Sequence, residues 1–104
     1  MDVYKVVIAH SAEKDLTDIA RYISSQLNAP TTAINMVRTI RAAIAKLETN
    51  ALLQPLVRDD RLGAMGYRPL TVKKYVVFYI AHEKEKVVAI DRILYARRNW
   101  QSIL

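Results

Sequence analysis

The chain has no cysteine, and its 104 residues include only two glycines and three prolines. Without cysteine no disulfide can staple the fold, and no thiolate can hold a metal or attack a substrate. Missing disulfides fit a reducing compartment, so a cytoplasmic location is expected. Scarce glycine and proline exclude a loop-rich or disordered chain. No run approaches the length of about eighteen apolar residues that a membrane span needs. The opening MDVYKVVIAHSAEKD has no long apolar segment behind a basic one, so no signal peptide and no membrane partner are expected. No glycine-rich phosphate loop and no Ser/His/Asp arrangement is visible. The two histidines, His10 and His82, lie far apart and are expected at the surface, so neither a metal site nor a cofactor is anticipated.

What is present is enough apolar sequence, 52% of residues, to bury one core. The length fits a single domain over residues 1–104. The net charge is +6 and uneven: residues 58–104 carry ten Lys/Arg against five Asp/Glu, while residues 1–57 carry six against five. A basic half of this kind attracts polyanions or an acidic partner.

Val3 to Ala9 alternates as a short strand. Ser11 is placed to cap a following helix. Ala12, Leu16, Ile19, Ala20, Ile23 and Leu27 recur every three or four residues, which predicts a first helix over about 12–27. Tyr22 on it is expected to be half-buried. Asn28-Ala29-Pro30 breaks that helix, and Pro30 suits the first turn of a second, ending near Glu48. So short a break makes an antiparallel helical hairpin. Residues 50–65 read as irregular, with Arg58 and Arg61 expected in surface ion pairs with Asp59 and Asp60.

The stretch from 67 to 95 reads as three strands: Tyr67 to Val72, Tyr75 to His82 and Val87 to Tyr95. Their short polar connections, Lys73-Lys74 and 83–86, require antiparallel neighbours. In the middle strand Val76, Phe78 and Ile80 alternate with Tyr75, Val77 and Tyr79, so both faces are apolar. One face must take the helical hairpin. The other is expected to be partly covered or used for binding. In the last strand Val88, Ile90, Arg92 and Leu94 are expected on one face, with Asp91 and Arg92 ion-paired or at the rim. The fold class is α+β, in the order β-α-α-β-β-β: a strand, an antiparallel helical hairpin and a three-stranded antiparallel meander. The closing Arg97-Arg98-Asn99-Trp100 reads two ways. It is either a helical turn docking Trp100, Ile103 and Leu104 on the core, or a basic and aromatic surface for a target.

This order, with particular residues, resembles the RelE/ParE superfamily of type II toxin–antitoxin toxins (plasmid stabilisation proteins). The residues are Ala12, Asp15, Leu16, Ile19, Tyr22 and Ile23, the Asn28-Ala29-Pro30 break, the runs GYRPL at 66–70 and YVVFYI at 75–80, and the closing VVAIDRILYARRNWQSIL. The resemblance covers nearly the whole chain. It implies a growth-inhibiting toxin neutralised by a cognate antitoxin, which the basic half would want acidic. It also implies a contact across the sheet and hairpin groove, and toxin–antitoxin hetero-oligomers on operator DNA.

The superfamily has two targets, so fold does not decide function. In a RelE-like reading the protein cuts mRNA on the ribosome, with Arg68, Lys73, Lys74, Arg97 and Arg98 as catalytic candidates. In a ParE-like reading it poisons DNA gyrase and is not a hydrolase, with Arg92, Tyr95, Arg97, Arg98 and Trp100 binding the target. Val76 stands where RelE carries a catalytic arginine, and Trp100, which cannot transfer a proton, is nearest to its terminal tyrosine. The longer helices and the incomplete nuclease set favour the ParE arm. A third reading is an inactive member that only binds its antitoxin.

Overall fold

The computed structural model describes residues 2–104. Strand β1 (Lys5–Ile8) leads into helix α1 (His10–Arg21), and helix α2 (Pro30–Ala45) folds back against it. Short helices α3 (Leu47–Asn50) and α4 (Asp60–Ala64) precede strands β2 (Tyr67–Val72), β3 (Tyr75–His82) and β4 (Val87–Tyr95). A last turn of helix, α5, spans Trp100–Ile103. The meander is antiparallel, as its short turns require. The first strand joins it by lying parallel to β4, so the sheet has four strands in the order β1-β4-β3-β2.

The alternation in β3 sorts the core into two layers. Val77 and Tyr79 meet Leu16, Ile40 and Ile44 of the hairpin, together with Val88, Ile90 and Ile93. Phe78 faces the other way, into a cluster with Val57, Leu62, Tyr67 and Leu94. Trp100, Ile103 and Leu104 pack onto that second cluster. The second face of the sheet is therefore covered by the chain itself. Pro69 stands in the edge strand β2, where it has no N–H to offer a neighbouring strand.

Several local expectations need correction. Ser11 is not the cap of α1: Ala9 is, and Ser11 lies in the first turn with its hydroxyl donating to the Asp91 carbonyl at 2.7 Å. The first helix does not continue regularly to 27. It widens into a π-helical turn over Tyr22–Gln26, closed by Leu27 N–H to the Tyr22 carbonyl, and Asn28 at φ +50° ends it. The second helix breaks at Lys46, and α4 lies in what reads as loop. Asp59 is drawn off as the N-cap of α4, accepting from Leu62 N–H at 3.0 Å, while Arg61 donates to the Gln101 carbonyl at 2.9 Å. Among the described residues neither Arg58 nor Arg61 is ion-paired. Gly63 in α4 lies where a Cβ would be 2.7 Å from the Val57 carbonyl oxygen, which demands the bare residue.

The last correction concerns β4. Phe78 pairs with Arg92 but Tyr79 pairs with Ile90, so Asp91 is an extra residue in the ladder. Such a bulge reverses the alternation beyond it. Val88, Ile90 and Ile93 face the hairpin, whereas Leu94 joins the opposite cluster.

Candidate functional site at the cationic end of the sheet

Tyr75 is in register with Tyr95, and Ala96 N–H donates to the Lys74 carbonyl at 2.9 Å. This pairing brings the Lys73-Lys74 turn beside Arg97 and Arg98, although more than twenty residues separate them in sequence. All four side chains are exposed, and none makes a salt bridge with a described residue. Lys73 holds φ at +55°, a left-handed conformation that costs a side-chain-bearing residue roughly 1–2 kcal/mol relative to glycine. Four unscreened cations at one end of a small domain set up a local positive field.

Beside them lies a cleft of about 620 Å³ between the last turns of the first helix and the end of the sheet. Tyr22, Tyr75, Tyr95, Lys74 and Arg98 line it. The π-helical turn carries Tyr22 out to 54% exposure, where a regular helix led us to expect a half-buried ring. Tyr75 and Tyr95 meet edge to face, with centroids 6.0 Å apart. Burial, and then the neighbouring phenols of Tyr95 and Tyr22, push the Tyr75 pKa above its ordinary value.

Two carboxylates also line the cleft, and both are committed. Asp15 is buried and accepts from Arg92 Nε at 2.8 Å, Arg92 Nη2 at 2.9 Å and Ile93 N–H at 2.9 Å. The third bond satisfies a backbone group that no strand reaches. The last backbone bond from the β1 side is Ala9 N–H to the Ile90 carbonyl. Beyond it β4 has no strand neighbour on that side, and the Asp15 carboxylate fills the gap. Its hydrogen bonds raise the Arg92 pKa further above an already high value. Asp18 is held by Lys14 at 3.0 Å. Arg92 is thus the ion-paired residue of the two readings sequence allowed. Asp91 instead accepts from the Tyr67 hydroxyl at 2.6 Å.

The other candidates stand apart. Arg68, the second residue of β2, donates to the Gln54 carbonyl, and Tyr79 Oη donates to the Ala51 carbonyl at 2.9 Å, so both pin the segment after α3. Trp100 lies 5.3 Å from Phe78, centroid to centroid, and is half-buried. His10 opens α1 and His82 closes β3 at the end opposite Lys73; both are exposed. Among the described residues no three His, Asp or Glu side chains group as a metal ion would require. No helix among the described residues is long and apolar enough to cross a membrane. Asp15 is the residue that sequence reasoning undervalued. It belongs to the resemblance motif, and an aspartate inside an apolar stripe was the available signal.

The Tyr67–Asp91 contact carries a pH signature. Burial first, and then the hydrogen bond to Asp91, push the Tyr67 pKa up to about 12. A raised folded-state value means that folding favours the neutral phenol. Its stabilisation is complete below the ordinary tyrosine pKa of about 10 and is lost as pH rises through 12. Wild-type protein should lose roughly 2–3 kcal/mol from this group between those limits. Tyr67→Phe should lose correspondingly less over the same range, measured by urea unfolding at each pH. An unchanged pH dependence in the variant would refute the assignment.

A four-stranded sheet in the order β1-β4-β3-β2 with a helical hairpin on one face is the architecture expected of the RelE/ParE superfamily. The chain superposes on a chain of the chromosomal ParDE toxin–antitoxin system from P. aeruginosa with a TM-score of 0.75 and 20% identity, covering 91% of this chain and 98% of that one. It superposes on a chain of the RelBE2 toxin–antitoxin complex from Mycobacterium tuberculosis with a TM-score of 0.61 and 17% identity, covering 89% and 98%. At such identities the likeness speaks for the fold alone. The family profile described as ParE toxin of type II toxin–antitoxin system, parDE, matches residues 6–100, and the chain belongs to that family. No curated protein matches it.

Proposed function

We propose that the protein is the growth-inhibiting toxin of a type II toxin–antitoxin module, acting in the cytoplasm as a poison of DNA gyrase and not as a hydrolase. The observation that carries this reading is the make-up of the cationic end. Lys73, Lys74, Arg97 and Arg98 are free to dock on an acidic surface, while the nearby carboxylates, Asp15 and Asp18, are tied up by Arg92 and Lys14. Metal-free RNA cleavage needs a base for the 2′-hydroxyl and an acid for the leaving oxygen. The cluster itself carries cations and phenols but no carboxylate to serve as that base, and the nearest carboxylates are ion-paired. The exposed cations with Tyr95 are the target-facing set. Arg92 and Trp100 act one step behind, holding β4 and the tail that carries Arg97 and Arg98.

The antitoxin in this reading is an acidic protein that covers the cationic end and the neighbouring hairpin groove, and the complex sits on operator DNA. Because the attraction is between exposed charges, complex affinity should fall steeply above about 0.15 M salt.

The deciding experiment is induction of the toxin alone in bacteria, with labelled thymidine and methionine uptake followed over the first minutes. Early loss of thymidine uptake with a DNA-damage response is the expected result. Early loss of methionine uptake, with mRNA cut at codon boundaries, would replace this reading with the ribosome-dependent endonuclease. In that case the same four cations would stabilise the phosphorane charge. No change in either would leave an inactive member that serves only to bind antitoxin.

A further inference from the structure

The cleft beside the cationic end gathers donors that nothing in the fold uses. Tyr67 and Tyr79 spend their hydroxyls on Asp91 and on the Ala51 carbonyl. Tyr22, Tyr75 and Tyr95 make no such bond to another described residue, and Lys74 and Arg98 pair with no described carboxylate, yet all five line the same cleft. Tyr22 is 54% exposed and Tyr95 38%. The edge-to-face contact with Tyr75 braces the Tyr95 ring, so little rotamer freedom is left to lose on binding.

We propose that this cleft binds single-stranded nucleic acid, with a base against the exposed tyrosine rings and the flanking phosphates on Lys74 and Arg98. Planar rings beside cations form the usual platform for an unpaired strand, because every base has a face to stack and every linkage a negative oxygen. Phenol hydroxyls add donors for phosphate or sugar oxygens. A cleft of about 620 Å³ has room for about a nucleotide, and a duplex would keep its bases out of reach of the rings. An acidic helix would satisfy the two cations but leave the stacking surfaces unused. The inference does not depend on which target the toxin poisons: an opened DNA strand or a messenger RNA would present the same chemistry.

The test uses the purified full chain and fluorescein-labelled oligomers of thymidylate and of uridylate, about twelve nucleotides long, with a duplex of the same length as control. Anisotropy is read at about 50 mM salt and upward. Saturable binding of single strands is expected, with the duplex at least about tenfold weaker. Tyr22→Ala and Tyr95→Ala should each weaken binding by about tenfold, and Tyr95→Phe, which keeps the ring, should retain most of it. Lys74→Ala with Arg98→Ala should make the slope of log K against log salt shallower by about 1.4, the value for two single-strand phosphates. Circular dichroism checks that each variant is folded, and the phenylalanine variant keeps the test open if an alanine variant is not. A preference for either oligomer supports the site and names the source of the strand. Binding that ignores the tyrosines, or favours duplex, would reduce the cleft to a non-specific positive field and overturn the proposal. Binding of a glutamate-rich helical peptide with no binding of either oligomer would overturn it as well. No gyrase or cell enters this assay, so its failure leaves the choice of target untouched.

Discussion

Asp15→Ala is expected to cost about 3–5 kcal/mol, a large share of the roughly 5–15 kcal/mol that hold a domain of this size together. The carboxylate side chain is only 10% exposed and that of Arg92 25%, so removing the anion leaves a half-buried cation with no partner. The same change strips the Ile93 N–H of its acceptor at a place where β4 has no strand neighbour. At roughly 4–8 °C per kcal/mol, the melting temperature should fall by about 12 °C or more. Asp15→Asn keeps an acceptor for Ile93 but not the charge, and should fall between wild type and alanine. Pairing Asp15→Ala with Arg92→Met should recover part of the loss, because an unpaired buried charge costs more than an apolar replacement of similar shape. A drop of less than about 3 °C for Asp15→Ala would show that the pair is ornamental.

The second large effect concerns function and should leave stability alone. Replacing Lys73, Lys74, Arg97 and Arg98 together by alanine removes four exposed, unpaired cations and lowers the net charge by four. Exposed charge contacts are worth about 0.2–1 kcal/mol each, so target affinity should fall by about 1–4 kcal/mol, or roughly 5- to 1,000-fold. Growth inhibition on induction should be lost, while the melting temperature stays near wild type. Arg58→Ala with Lys84→Ala is the control, because it removes exposed cations away from the cleft. Equal loss of toxicity in the control would mean that net charge matters and position does not. Full toxicity in the quadruple variant would remove this end of the sheet from the target interface.

Local periodicity determined much about this protein on its own. Apolar spacing marked the two helices, Pro30 marked the start of the second, and alternation in 75–82 marked a strand buried on both faces. These are properties of a residue and its near neighbours, so they survive in a one-dimensional reading. The basic half was equally legible, because charge is additive along the chain.

Tertiary structure decided the rest, because it depends on which distant segments meet. Whether β1 joins the sheet, and on which edge, is a matter of crossover and cannot be read from four residues. The bulge at Asp91 changes the face of every later residue in β4, yet nothing within the strand announces it. Asp59 is an N-cap and not half of an ion pair because α4 begins there. Ser11 reaches Asp91 because α1 begins two residues earlier than expected and lies against β4. The candidate site is the clearest case. Arg68, Lys73, Lys74, Arg97 and Arg98 are equivalent as a list of cations. Only the Tyr75–Tyr95 register draws four of them together, while a carbonyl at Gln54 takes the fifth. A side chain's charge is written in the sequence, but whether that charge is free or spent depends on what the folded chain places within 3 Å of it.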